Sequence, residues 1–157
     1  MATRKDSETM KFAISIPPIA NAFAGIQGGD VFDMRNFNAI NFVVFTGVGA
    51  TGTQTLTVEA CDDTTPTNTV AVPFYSRSYA NSDIPGPLVS RAANGYTTVA
   101  GNNRLEVISV DVEALLASGY RYIRLKSVEG TASAVLGGVF VVLTGARSSG
   151  AIEAAVT

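Results

Sequence analysis

Three pairs of acidic residues have the type and spacing to do chemistry. They are Asp30/Asp33, Asp62/Asp63 and Asp111/Glu113. Two carboxylates that face each other can act as general acid and base, as they do in glycoside hydrolases. The surrounding residues favour other roles, because the second pair opens a Thr- and Pro-rich loop, where acids form Asx turns. The third pair lies at the start of a helical segment, where acids cap the first turn. We therefore predict no catalytic site.

The other side chains on which enzymes rely are scarce. The chain has no histidine and one cysteine, Cys61. The lack of histidine excludes Ser–His and Cys–His nucleophile systems and the commonest zinc ligand. Cys61 is predicted to lie on the outward side of its strand, without a basic neighbour nearby in the sequence, so its thiol should be inert. We predict that the protein is not an enzyme and carries no cofactor.

The loop that begins at Asp62 is the best candidate for a metal site. Asp62, Asp63 and Asn68 carry oxygen ligands of the kind that calcium prefers. The loop lacks the alternating D-x-D-x-D-G spacing of an EF-hand. We predict no metal there.

The segment from Gly47 to Gly52 matches the G-x-G-x-x-G pattern of dinucleotide-binding loops. That pattern requires a helix directly after it, so that the helix N-terminus meets the pyrophosphate. Here the next residues alternate in polarity, with Leu56, Val58 and Ala60 on one side, as in a half-buried β-strand. We interpret 38–62 as a β-hairpin whose turn is the glycine-rich segment.

Five tyrosines offer rings for a sugar-binding platform, although the chain has no tryptophan. Tyrosines of this kind more often lie at sheet edges or interfaces, with the hydroxyl in water. A carbohydrate-binding module stays an alternative on this basis. The tyrosines are Tyr75, Tyr79, Tyr96, Tyr120 and Tyr122.

The composition indicates one domain with an unusual surface. The chain has 157 residues, of which 46% are hydrophobic and 15% charged, against a usual charged share of about 25%. So few charges suggest that another molecule covers part of the surface. The net charge of −2 gives no basic field for phosphates, so we predict no nucleic-acid partner. The longest apolar run is too short to cross a bilayer, and we predict no membrane partner.

Short strands between turn signals dominate the chain, which predicts an all-β, antiparallel β-sandwich or barrel over 10–143. One short helix is expected near 111–118, with Asp111 at its cap and Gly119 at its end. Pro17 and Pro18 should end the first strand. The segment 134–143 is apolar on both faces and should be a covered central strand. The predicted core contains Phe42, Val44, Leu56, Val58, Ile108, Ile123, Leu125, Val139 and Val141.

The two ends differ from the rest of the chain. Residues 1–9 are polar and 144–157 are small and polar, so we interpret them as an N-terminal arm and a C-terminal tail that attach to other subunits. Interface residues are predicted in these ends and among the tyrosines. They are Arg4, Lys5, Tyr75, Tyr79, Arg147, Ile152 and Val156.

The stretch from Val110 to Lys126 carries a family resemblance. A strand enters a one-turn helix that ends on Gly119, and the strand Tyr-Arg-Tyr-Ile-Arg-Leu leaves it. This arrangement resembles small virion proteins of tailed bacteriophages, in particular capsid decoration (cement) proteins. The opening 12–18 and the closing 139–146 add to the resemblance.

The resemblance implies a jelly-roll-like β-sandwich that binds the outside of an assembled capsid and stabilises the shell. It implies the major capsid protein as partner, self-association as a homo-oligomer, a place in the virion, and neither catalysis nor a cofactor. Synthesis in the host cytoplasm agrees with the single cysteine. The alternatives are a head–tail or tail component of similar fold and, from another class, a carbohydrate-binding β-sandwich module.

Overall fold

The computed structural model describes residues 5–49, 51–80 and 84–147 and contains two antiparallel β-sheets that pack face to face. A 3-10 helix, η1 (Asp6–Glu8), precedes the first strand, and one α-helix, α1 (Val112–Leu116), lies between the tenth and eleventh strands. The strands are β1 (Lys11–Ile19), β2 (Ile26–Gly28), β3 (Phe32–Asp33), β4 (Ala39–Thr46), β5 (Gln54–Cys61), β6 (Thr69–Val72), β7 (Phe74–Ala80), β8 (Val89–Arg91), β9 (Tyr96–Thr97), β10 (Arg104–Asp111), β11 (Tyr122–Glu129) and β12 (Gly137–Thr144).

The strand order is that of a jelly roll. The large sheet runs β1-β12-β4-β10-β7-β8 and the small sheet runs β2-β11-β5-β6, with β3 and β9 added at its ends. Within the large sheet, β1-β12-β4-β10 face the four strands of the small sheet, and together these eight form the two Greek keys of the fold. The hairpin of β7 and β8 widens the large sheet. The predicted antiparallel β-sandwich is confirmed.

The core lies between the two sheets and follows the alternation of the strands. All nine predicted core residues are buried, each at most 1% exposed. Phe32 and Phe42 meet edge to face near the centre, with ring centroids 6.1 Å apart. The predicted inward faces are therefore correct, through alternation for β5 and β11 and through a choice between two apolar faces for β4.

The predicted hairpin over 38–62 is wrong. β4 pairs with β10 and β12 in the large sheet, whereas β5 pairs with β6, β9 and β11 in the small sheet. The glycine-rich segment between them is a crossing between sheets, and a Cβ atom at Gly52 would overlap Val135. β9 and β10, which are also neighbours in the sequence, likewise lie in different sheets.

Pro17 and Pro18 do not end the first strand. β1 continues to Ile19, and its register against β12 shifts twice, between Ile14 and Ile16 and between Ile16 and Ile19. β1 is an edge strand, so prolines that cannot donate a ladder hydrogen bond are tolerated there.

The helix and the last strand differ from expectation in detail. Asp111 occupies the N-cap position of α1, but its side chain makes no capping hydrogen bond. Gly119 takes the left-handed conformation, with φ of 78°, after the helix. β12 is an interior strand of the large sheet, but only its inward face is fully covered, because Phe140 is 37% exposed on the other face.

We expect the two faces of β5 to respond differently to truncation. Leu56→Ala should lower the free energy of unfolding by about 2–5 kcal/mol, because Leu56 is fully buried and the substitution leaves a cavity. Thr57→Ala, on the half-buried outward face, should cost less than about 1 kcal/mol. Urea denaturation of both variants measures this difference, and equal losses would contradict the assignment of the inward and outward faces of β5.

Candidate functional site

Asp62 serves to close the loop that follows β5. Its carboxylate accepts hydrogen bonds from the backbone and side chain of Thr67, at 3.1 and 3.0 Å, and from those of Asn68, at 3.1 and 2.9 Å. Hydrogen bonds from the Asn68 side chain, and then from Thr67, lower the pKa of Asp62 to about 2. The acidic residue is thus a structural acceptor, as the Asx-turn interpretation predicted.

Acidic residues of the other two pairs have different surroundings. Asp33 forms ion pairs with Arg35 at 3.1 Å and Arg121 at 3.6 Å. Asp111 and Glu113 line an open hollow of about 290 Å³ beside Tyr75. Within 5–49, 51–80 and 84–147, no group of three or more His, Cys, Asp or Glu side chains is close enough to hold a metal ion.

Cys61 is not on an exposed surface. Its side chain is fully buried, and its thiol donates to the Glu59 carbonyl at 3.5 Å. Burial raises the pKa of the thiol to about 11, against the weaker opposing effect of Arg124. A buried thiol with so high a pKa is a poor nucleophile.

A buried carboxylate between the sheets was missed by the sequence reasoning. Glu106 is 3% exposed, accepts a hydrogen bond from Ser78, and lies 3.7 Å from Arg104. One of its oxygens, Oε1, has no hydrogen-bond partner in the described part of the chain. Burial raises its pKa, although Ser78 and Arg104 act against this. The neighbouring cavity, of about 10 Å³, holds at most one water molecule.

The largest candidate site is the outer face of the large sheet, the face that points away from the small sheet. Five adjacent strands, from β1 to β7, align their outward side chains in three rows. The rows are Phe12–Val142–Asn41–Ser109–Tyr75, Ile14–Phe140–Val43–Val107–Arg77 and Gly138–Phe45–Leu105–Tyr79. Arg77 is the single charged side chain in these rows, and Asp111 lies at their border.

The outer face is apolar and uneven. Its most exposed side chains are Phe12 (55%), Ile14 (57%), Phe140 (37%) and Tyr75 (45%), while Val43 in the middle is only 8% exposed. Beyond Phe45 the face dips into an open hollow of about 240 Å³, which Pro18, Phe45 and Leu136 line. Contiguous apolar surface of this kind marks interaction sites in folded proteins.

The outward side of the small sheet is different in character. Glu59 there accepts hydrogen bonds from Arg124 at 2.8 Å and from Lys126 at 3.1 Å. Burial would raise the pKa of Glu59, but these two cations outweigh it and hold the pKa below its usual value. Thr55 and Thr97 add a hydroxyl pair at 2.9 Å. This side is polar and solvated by water, whereas the outer face of the large sheet is apolar, so the two sheets differ in the polarity of their outer faces.

The structure places four of the seven predicted interface residues. Tyr75 and Tyr79 both lie on the outer face. Lys5 is exposed just before η1, and Arg147 is exposed after β12, where its side chain donates to Asn38 at 3.0 Å. Neither residue belongs to the rows of the outer face. Arg4, Ile152 and Val156 lie outside the described residues.

The tyrosines do not form one platform. Tyr96 lies between the sheets, with its hydroxyl 3.3 Å from Ser78 and the Arg91 guanidinium 4.0 Å above its ring. Tyr75 and Tyr79 are four residues apart on one strand, which separates them by about 13 Å. Tyr75, Tyr79 and Tyr96 therefore do not form a shared stacking surface, and a sugar would stack on one of these rings at a time.

Comparisons with known proteins give the fold alone. No protein-family model matches the chain, and no curated protein matches it. Among solved structures it is similar to the SPBc2 prophage-derived protein YomS, with 15% sequence identity and a TM-score of 0.50. The similarity covers 87% of this chain and 93% of that one. In the described part of the chain, every helix is too short or too polar to span a membrane.

The two buried carboxylates should titrate with opposite effects on stability. Because the folded state raises the pKa of Glu106, its contribution is full below the ordinary pKa of about 4.3 and is lost as the pH rises through the raised value. Glu106→Gln should therefore gain stability relative to wild type as the pH rises from about 4 to 7. Urea denaturation across this range measures the change.

Glu59→Gln is the matched control. The folded state lowers the pKa of Glu59, so the stability that its ionised form contributes is present above the ordinary pKa and is lost in acid. This variant should lose stability relative to wild type as the pH rises. If the stability of both variants relative to wild type changed in the same direction with pH, burial would not raise the pKa of Glu106.

Proposed function

We propose that this chain is a structural protein of a tailed-phage virion, and specifically a capsid decoration protein that binds the outside of the major capsid shell and stabilises it. In this role it performs no catalysis and needs no cofactor. The observation that carries the proposal is the outer face of the large sheet, with one charged side chain in its three rows. A face of this composition suits burial inside a permanent protein assembly such as a virion, whichever subunit of the assembly covers it.

Two further observations support a phage role. The jelly-roll order and the segment 110–126, which forms the end of β10, α1 and the start of β11, agree with the resemblance to decoration proteins. The structural neighbour YomS is described as prophage-derived. Neither observation separates a capsid protein from a tail protein, and a head–tail or tail component is the alternative within the virion.

The chain ends are the proposed contacts with the shell. Lys11 at the start of β1 pairs with Leu143 near the end of β12, so the chain enters β1 and leaves β12 at the same end of the large sheet. Ordering an arm costs about 1–2 kcal/mol per residue in backbone entropy, which contacts with the shell would offset. Backbone hydrogen bonds to the edge of a partner's sheet are one source of such contacts.

A carbohydrate-binding module is the second candidate function. The hollow of about 290 Å³ places one aromatic ring, Tyr75, beside the acidic side chains of Asp111 and Glu113. Stacking on a ring and hydrogen bonds to carboxylates are the contacts that sugars make with proteins. Binding on a glycan array that Tyr75→Ala abolishes would favour this function over the virion proposal.

The decisive experiment uses particles of the phage that encodes the chain. We expect the protein to co-purify with banded virions and to stay with the capsids when heads and tails are separated. Particles that lack it should lose heat resistance and regain it when the purified chain is added. Recovery with tails would favour the tail alternative, and absence from virions would contradict the proposal.

Truncation separates the role of the N-terminal arm from folding. Because β1 begins at Lys11, removal of 1–9 should leave the sandwich folded. Binding to particles should weaken at least about tenfold, since the proposed contacts are lost. Circular dichroism and co-sedimentation measure the two outcomes, and a truncated chain that binds as well as the full chain would contradict the role of the arm.

A further inference from the structure

We propose that the outer face of the large sheet is a homodimer interface, on which a second copy of this chain packs face to face. The inference rests on the proposed function, since it names the molecule that covers this face before the protein meets the shell. It assigns the shell contact to the chain ends and the dimer contact to the sheet. The two roles then use different surfaces.

The area of the face is sufficient for a dimer. A whole aromatic side chain presents about 200 Å² and an isoleucine side chain less, so the exposed fractions of Phe12, Ile14, Phe140 and Tyr75 leave on the order of 350 Å². The half-buried neighbours in the three rows bring the face to roughly 600 Å². Two such faces together bury about 1,200 Å², which is the lower limit of stable specific interfaces.

The polar groups of the face are few. Ser109 donates to the Asn41 side-chain oxygen at 2.7 Å, so these two central polar residues are paired with each other. Arg77 supplies one cation, and its Nε atom is buried without a hydrogen-bond partner in the described part of the chain. Asp111 supplies one anion at the border of the face. A two-fold arrangement brings equal numbers of both signs to the interface, so no net charge is buried.

The shape of the outer face is complementary to that of a second copy. Phe12 and Ile14 on β1 project, whereas Val43 on β4 lies deep, and the hollow beside Phe45 and Leu136 lies beyond it. The same face therefore carries a projecting row and a depression. The projecting row of each copy can fit into the depression of the other copy. Because a two-fold interface uses one patch twice, such a patch must carry both the projection and the depression.

A second copy is favoured over the shell protein by the order of events. A decoration protein folds before it meets an assembled shell, and an apolar face of several hundred Å² left open in that interval promotes aggregation. The second copy is the one partner that is present whenever the protein is made. The polar outward side of the small sheet, with its Glu59–Arg124 ion pair at 2.7 Å, then remains toward water.

The test compares two isoleucines on the edge strands of different sheets. Ile14 lies on the outer face of the large sheet and is 57% exposed, while Ile26 lies on β2 of the small sheet and is 70% exposed. Sedimentation equilibrium of the full chain at micromolar concentration should give the mass of two chains. Ile14→Asp should weaken dimerisation at least about 100-fold, because it buries an unpaired charge from each copy. Ile26→Asp should remain dimeric.

Folding is checked separately from association. Tyr75→Asp, at the far side of the same face, serves as a second variant and should also give a folded monomer by circular dichroism and thermal unfolding. A wild-type chain that is monomeric, or an Ile26→Asp variant that dissociates as readily as Ile14→Asp, overturns the inference. So does a monomeric wild type whose binding to particles is lost in Ile14→Asp, because the face then belongs to the shell protein.

The outcomes distinguish this inference from the proposed function. A chain that is dimeric through Ile14 but absent from virions retains the interface and overturns the virion role. A chain found in capsids that is monomeric in solution retains the virion role and overturns the dimer.

Discussion

Burial of the inner face of the large sheet against the small sheet is the interaction on which the rest of the structure depends. Each strand offers alternate side chains to this layer, so a chain of short strands buries them only by crossing repeatedly from one sheet to the other. Three of these crossings lie at the glycine-rich segment between β4 and β5, at Pro73 between β6 and β7, and at α1 between β10 and β11. Residues at these positions accordingly connect the two sheets. Gly49 and Gly52, which belong to the G-x-G-x-x-G pattern, pack closely beside Val135.

The limits of sequence-based prediction follow from the same constraint. Period-two alternation shows which side chains of β5 or β11 point inward, and Leu56 and Ile123 lie where it placed them. It contains no information about which strand lies alongside, because the pairing of β4 with β12 joins segments about a hundred residues apart. Sequence neighbours were therefore paired as hairpins, whereas the jelly roll pairs distant segments.

The sequence did contain signals for three features that were missed or only partly predicted. Ile108 was placed in the core, and the same parity puts Glu106 on the inward side, where it is buried. Cys61 was placed outward by parity, which is correct for the strand, but burial of the outward side at that position depends on tertiary packing. Two features of the sequence indicated an apolar outer face: the low charge content, and the apolar residues on both sides of β4 and β12.

The unequal outer faces of the two sheets link the fold to assembly. A sheet that is apolar on both sides has to be covered twice, and within 5–49, 51–80 and 84–147 the small sheet covers one side. The pairing of Lys11 with Leu143 brings the start of β1 and the end of β12 to one end of the large sheet, next to the row that contains Phe12. A two-fold dimer through the outer face would therefore carry two sets of ends at symmetry-related positions on its rim. Such a dimer could hold two neighbouring shell subunits at once, and the effective concentration of the second contact would strengthen a binding that each short arm alone makes weakly.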